Sequence, residues 1–426
     1  MTPAGLTLRK PFSAQPAEAG QAPAGNAGQI AGAGAAIGAA ALTMSPTAAP
    51  VHRPARPEAG RRSLDSLQVG RGIAAIAVVV FHAHVFFIPE RLHPGQTVSR
   101  VFDIGYAGVE FFFVLSGFIM ILVHRRDIGR PRRAARFMMK RALRILPFYW
   151  LVTLAMLALL LAQWPATAGQ LSPARLLHSL ALVPMPDGAA LLVEVGWTLS
   201  HEFLFYALFC LLIVAPRAGI AAFALWILAI GALVPRPPGY PWDFLLAPCN
   251  LLFAMGMGAA LVFPRLSPRW AGTAALCGTA LFLAVGLGDA YGVMDLTHAG
   301  RTLLLGAAAA ITVAGLAGWE TGRRVAMPRS LVFLGDASFA IYLVHALALP
   351  VATRVMVELG AGRWLTPGLS LLTLTALAVA AGCLAHVTVE RPMLRKLHAR
   401  LSRADAGRIP GAKRTSSRPS PEGNAT

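Results

Sequence analysis

The chain has 426 residues, of which 56% are hydrophobic and 13% charged, with a mean hydropathy of +0.60. A soluble domain carries roughly 25% charged residues, so this composition excludes an ordinary soluble protein and points to a polytopic membrane protein. The net charge of +19 would suit nucleic acid, but Lys and Arg cluster in short segments between apolar stretches, as in cytoplasmic membrane loops, which argues against a nucleic-acid partner.

Residues 1–63 are rich in Ala, Gly and Pro and nearly free of aromatics. They are expected to form a disordered cytoplasmic tail rather than a secretory signal. Arg53, Arg56, Arg61 and Arg62 precede the first firm span and set its start inside. A span needs about 20 apolar residues. Ten such stretches follow, near 67–87, 105–123, 145–161, from 196 onward, 219–234, 244–263, 271–286, 302–318, 331–351 and 369–389. Between the second and third lies RRDIGRPRRAARFMMKRALR, where Asp127 is the single acid among the basic residues. This is the strongest cytoplasmic marker in the chain. Ten spans return both termini to the cytoplasm and leave every strong basic cluster there. The expected architecture is an all-α transmembrane bundle over residues 64–397, followed by a disordered basic cytoplasmic tail over 398–426. The four cysteines form no CxxC pair and read as small buried hydrophobes, and no metal site is expected.

Ionisable residues inside spans are costly and mark candidate functional sites. Arg71 and His82 both lie in the first span. Eleven helical residues at about 100° each put them on one face, about 16 Å apart along the axis. His84 points elsewhere and reads as structural. By depth, His82, Glu110, Glu202, Tyr342 and His345 converge on the outer half of the membrane, while Arg71, Arg141 and Arg144 fall at the inner face. The outer set holds the residue types of proton transfer. Glu202 and Tyr206 are i,i+4, and Ser338, Tyr342 and His345 form one stripe at i, i+4 and i+7. The inner set suits phosphate: Arg141 and Arg144 are i,i+3 at a predicted helix start, where forked guanidinium groups and the helix dipole would act together. Each group also has a plainer reading, as headgroup anchors, structural buried acids or a core histidine.

These stretches resemble the acyltransferase family 3 membrane proteins, and most of all the branch that modifies bacterial exopolysaccharides. The matching segments are LDSLQVGRGIAAIAVVVFH with Arg71 and His82, GVEFFFVLSGFIM with Glu110, and FMMKRALRILPFYW with Arg141 and Arg144. WTLSHEFLFYALF with Glu202, LGDASFAIYLVHALAL with Ser338, Tyr342 and His345, and VERP from Glu390 follow in family order. The family often has Asp where Glu110 stands. Many relatives also carry a soluble periplasmic domain after the last span. The stretch after Arg391 here is about 35 residues and basic, so transfer is expected to be completed within the membrane domain or by a separate partner.

The resemblance implies a multi-pass O-acyltransferase of the bacterial inner membrane. Its donor would be cytoplasmic acyl-CoA, acetyl-CoA foremost, used as a substrate with no resident cofactor. Its acceptor would be a hydroxyl on a glycan or lipid-linked glycan, and membrane lipids and polysaccharide-assembly proteins are the other expected partners. Arg71, Arg141 and Arg144 would meet the donor phosphates. His82 would serve as general base or carry the acyl group, with Glu202 or Glu110 beside it, and Ser338, Tyr342 and His345 would position substrate. The alternative from another class is a transporter or flippase of a lipid-linked sugar. A transferase using a polyprenyl-phosphate sugar donor is a rival enzyme reading.

Overall fold

A computed structural model describes residues 64–406 apart from 164–166, 168, 170, 234–238 and 324–325, with side chains as far as residue 401. The tail expected over 1–63 and the chain beyond 406 lie outside the described residues. Everything regular in the described residues is helical. Ten runs are long and apolar enough to cross a membrane: Asp65–Leu92, Arg100–His124, Pro131–Ala162, Glu194–Val214, Pro216–Leu233, Trp242–Arg265, Pro268–Ala290, His298–Gly322, Ser338–Glu358 and Pro367–Leu401. The expected all-α bundle is therefore found. Helices satisfy every backbone polar group within one segment, which the hydrocarbon core demands.

In chain order the first α-helices are α1 (Asp65–His82), α2 (Gly108–His124), α3 (Ala134–Ala162), α4 (Pro173–Ala181), α5 (Trp197–Val214), α6 (Pro216–Leu233), α7 (Trp242–Leu245), α8 (Asn250–Val262), α9 (Pro268–Ala290) and α10 (His298–Gly322). They are followed by α11 (Arg329–Asp336), α12 (Ser338–Glu358), α13 (Pro367–Ala385) and α14 (Arg391–Ala406). Several starts are legible locally. Ser267 and Thr366 accept the backbone N–H three residues on, and Pro268 and Pro367 take the first helical position. α1 has no cap of its own. Glu320, near the end of α10, receives the Asp65 and Ser66 backbone N–H groups at 2.8 and 2.9 Å, together with the Ser66 hydroxyl. A carboxylate from another helix thus satisfies the orphan donors of α1 and complements its dipole. It also fixes the height at which α1 presents Arg71.

Three boundaries differ from the apolar pattern, each in a way that matters for the site. α3 begins well before residue 145, because the basic residues ahead of the apolar run are themselves good helix formers. Arg141 and Arg144 consequently lie about two and three turns inside α3, out of reach of the N-terminal dipole expected to help them. The ninth apolar run is broken at Ala337 into α11 and α12, so Ser338 opens α12. The last helix passes through a π-helical turn at His386–Glu390 and continues as α14 to Ala406, beyond the boundary expected at residue 397. A second π-helical stretch, Ala83–Leu92, directly follows His82.

The helices pack through small residues, as lipid-embedded bundles do. α2 and α8 approach backbone to backbone: a Cβ on Gly117 would stand 2.0 Å from the Phe253 carbonyl oxygen, and one on Gly256 would stand 1.9 Å from that of Val114. This contact brings α2, and Ser116 with it, to its place beside α5. Gly256→Ala is expected to lower the thermal midpoint in detergent by several degrees. Gly258→Ala, two residues further along α8 with open space around it, should leave the midpoint unchanged. Equal melting of the two variants, read by light scattering or fluorescence, would contradict this packing.

Candidate functional site

A cavity of about 230 Å³ lies between α1, α2, α3, α5 and α12. Its wall carries Arg71, Ser116, Arg141, Arg144, Thr198, Glu202, Tyr206, Ser338 and Tyr342, set among apolar side chains such as Phe112, Phe113 and Phe339. Sites for whole drug-sized ligands span about 300–1,000 Å³. This one therefore suits a slender arm or an anionic group rather than a complete nucleotide-bearing molecule.

The structure brings together six of the nine sequence-predicted residues: Arg71, Arg141, Arg144, Glu202, Ser338 and Tyr342. Arg144 Nη1 donates to Glu390 Oε1 at 2.9 Å, and its guanidinium lies 5.6 Å from the Phe339 ring centre. Glu390 is completely buried and also bonds His386 Nδ1 at 2.8 Å. Arg141 Nη2 donates to His124 Nε2 at 2.8 Å, and its guanidinium lies 5.8 and 5.7 Å from the Phe137 and Tyr206 ring centres. Arg71 Nη1 donates to Gln68 Oε1 at 3.1 Å. Glu202 Oε1 accepts from Ser116 Oγ at 3.1 Å and from the Tyr206 hydroxyl. The Tyr342 hydroxyl reaches the Val195 carbonyl at 3.2 Å and Thr198 Oγ1 at 3.0 Å. Ser338 Oγ is buried without a hydrogen-bond partner. Three arginines against Glu202 in the wall and Glu390 behind Arg144 leave the cavity net positive.

His82, His345 and Glu110 are not part of the cavity wall. His82 Nδ1 stands 2.8 Å from the Val78 carbonyl oxygen. A carbonyl can only accept, so Nδ1 carries a proton, and in its neutral form the ring has its lone pair at Nε2. Among the described residues no carboxylate bonds this imidazole, Glu202 and Glu110 included; its Nδ1 is tied to the backbone one turn earlier on the same helix. The His345 ring packs edge-on against His82, with centroids 4.9 Å apart, and both its nitrogens are buried. Tyr342 links the two regions: it lines the cavity and packs 5.7 Å from His345. Glu110 instead lies among the charges of Arg301 and Asp289, and its Oε2 has no hydrogen-bond partner. Asp289 there binds Arg301 and the Tyr106 hydroxyl, a polar cluster separate from the arginine cavity. His84 ties the loop after α1 in place through Asp103 and the Val98 and Ser99 backbone N–H groups. Among the described residues, no three His, Cys, Asp or Glu side chains are grouped to hold a metal ion.

Sequence reasoning missed His124 and the structural weight of Asp127 and Glu390. One signal was available for the first two. Asp127 is the lone acid in a strongly basic run, three residues after a histidine, so its charge invites a specific partner. Glu390 gave no such signal, because its partner Arg144 is 246 residues away. Glu390→Gln leaves the Arg144 charge without its carboxylate and is expected to cost about 2 kcal/mol of stability. The Arg144→Gln/Glu390→Gln double variant should recover part of that loss. Thermal unfolding of the unaltered protein, both single variants and the double variant in one detergent checks the coupling, and additive losses would show there is none.

Comparison with known proteins agrees with this architecture. The Acyltransferase domain family matches residues 64–387. The chain is 33% identical over 325 residues to the exopolysaccharide production protein ExoZ of Rhizobium meliloti, covering 72% of this chain and 95% of that protein. It is 31% identical over 370 residues to the acyltransferase MdmB of Streptomyces mycarofaciens, covering 78% and 92%. No solved structure matches it. The family match takes in α1 to the end of α13 and with them all but one residue of the arginine cavity's surroundings, Glu390; the chain belongs to this acyltransferase family and is a multi-pass membrane acyltransferase.

Proposed function

We propose that the protein transfers an acyl group, acetyl in the simplest case, from cytoplasmic acyl-CoA to a hydroxyl of a cell-surface glycan, an exopolysaccharide or its lipid-linked precursor. The setting is the inner membrane of a bacterium, with the arginine-rich end of the bundle toward the cytoplasm, as its basic loop favours. The observation that carries this reading is the His82 imidazole, held by Val78 in the tautomer whose Nε2 can accept a proton. It is supported by the arginine cavity on the same face of α1 and by the family. A relative named for exopolysaccharide production favours a glycan acceptor.

In this mechanism the donor phosphates rest on Arg71 and Arg141 beside Arg144, and the slender pantetheine arm enters the cavity past Ser338 and Tyr342. Glu202 keeps lone pairs beyond those used by Ser116 and Tyr206 and can receive amide N–H groups of that arm. The thioester then lies near His82. As the acceptor hydroxyl oxygen attacks the thioester carbonyl, its proton passes to His82 Nε2. Collapse of the tetrahedral intermediate breaks the carbon–sulfur bond, and the departing thiolate takes the proton from His82. His345, packed on His82, holds the ring and borders the acceptor. Glu110 has no step in this scheme. Direct transfer needs no acyl-histidine and is preferred for that reason.

The test adds labelled acetyl-CoA to membrane vesicles that contain the protein and reads base-labile label on glycan. His82→Ala is expected to reduce incorporation by at least about 10²-fold, the low end for a general base, at unchanged protein abundance. Undiminished labelling in that variant removes His82 from the mechanism. Sugar translocation without label would point instead to transport.

A further inference from the structure

Arg71, Arg141 and Arg144 reach one cavity but are held in two different ways. Arg144 donates directly to the buried Glu390 carboxylate, so its charge is met at the point of contact. Arg141 has a neutral partner. A guanidinium can only donate, so His124 Nε2 is the acceptor and the ring proton sits on Nδ1, where it is 2.8 Å from Asp127 Oδ2. Asp127 remains ionised: partial burial pushes its pKa up, but His124 and Arg133 outweigh that and hold it below the usual carboxylate value. Besides these groups, Lys140 is the other charge near His124, and the Phe137 and Phe209 rings pack against it. Arg71 repeats the arrangement, donating to Gln68, whose Nε2 donates in turn to Oδ1 of the exposed Asp336 at 3.2 Å.

In both chains a neutral acceptor touches the arginine and a carboxylate stands one hydrogen bond behind. The direction of the guanidinium is fixed while its charge stays available to a ligand, because the opposing charge is held away from contact. Arg141 adds a second sign of a ligand-facing role: its Nε is buried without a partner. A direct ion pair, as at Arg144, would fix the direction and cancel the charge together.

We propose that Asp127–His124 and Asp336–Gln68 are positioning relays that aim Arg141 and Arg71, with charge intact, at the anionic phosphates of the acyl donor. This rests on the reading of the donor as acyl-CoA. The relay residues touch the arginines and not the donor, so they govern donor binding and leave the chemical step to His82.

The experiment uses the full-length protein in detergent with acetyl-CoA as probe, measuring Kd, KM and kcat. His124→Leu and Gln68→Leu, which remove the acceptors, are expected to raise Kd and KM about tenfold, the value of a charge-assisted hydrogen bond, with kcat little changed. His124→Gln keeps an acceptor for Arg141 and should restore binding to within about threefold. A Kd unchanged in His124→Leu overturns the relay at Arg141, and one unchanged in Gln68→Leu overturns that at Arg71. A loss confined to kcat overturns both. If the unaltered protein fails to bind acetyl-CoA, the donor assignment falls, and the relay is read separately by ¹⁵N NMR of histidine-labelled protein, with His124 assigned by its variant. The Nδ1–H form at His124, weakened by Asp127→Asn, sustains the relay, whereas an Nε2–H form overturns it.

Discussion

Three guanidinium groups held together inside a bundle of apolar helices set the terms for this site. A charge that leaves water must be paired, and like charges brought to one cavity repel unless their surroundings compensate. Here the compensation is uneven. Glu390, wholly enclosed, meets Arg144 directly, while Arg141 and Arg71 lean on His124 and Gln68. Glu202 supplies the one carboxylate in the cavity wall and is itself held by Tyr206 and Ser116. The cavity is thus stable as a polar enclosure yet retains positive charge for an incoming anion.

The imidazole of His82 stands apart from that enclosure, and the intervening path runs along one face of α12. Ser338 and Tyr342 lie in the cavity wall, and His345 lies against His82. Ser338 Oγ, without a partner among the described residues, is unusual in a buried setting, where such groups are nearly always bonded. Among the described residues, one π-helical stretch starts just after His82 and another ends at Glu390 behind Arg144. Such turns recur at functional positions because they shift the register of the following residues relative to the preceding ones.

The rest of the fold serves to hold these parts at fixed heights. Glu320 pins the first turn of α1 to the end of α10, and the reciprocal Gly117 and Gly256 contact lets α2 and α8 meet backbone to backbone. α10 and α2 are the most enclosed spans, with 61% and 56% of their apolar windows buried, whereas α6 has 17% and lies at the periphery. The cavity helices α1, α2, α3, α5 and α12 lie between these extremes, with 39–56% of their windows buried.

The ten spans, the common face of Arg71 and His82 and the stripe from Ser338 to His345 were written in the sequence, because they follow from apolar run length and from the 3.6-residue period of a single helix. The same logic missed the true start of α3 and the break at Ala337, since helices outrun their apolar windows and breaks need not change hydropathy. Partnerships were decided only in three dimensions. Depth along separate helices suggested that Glu110 and Glu202 would share a pocket with His82, but depth gives no azimuth. Glu110 lies outside the cavity wall, within the field of Arg301 and Asp289, and Glu202 bonds Tyr206 and Ser116. Which carboxylate meets which arginine depends on how helices far apart in the chain rotate against one another, and that rotation is set by packing across the whole bundle rather than by any one segment.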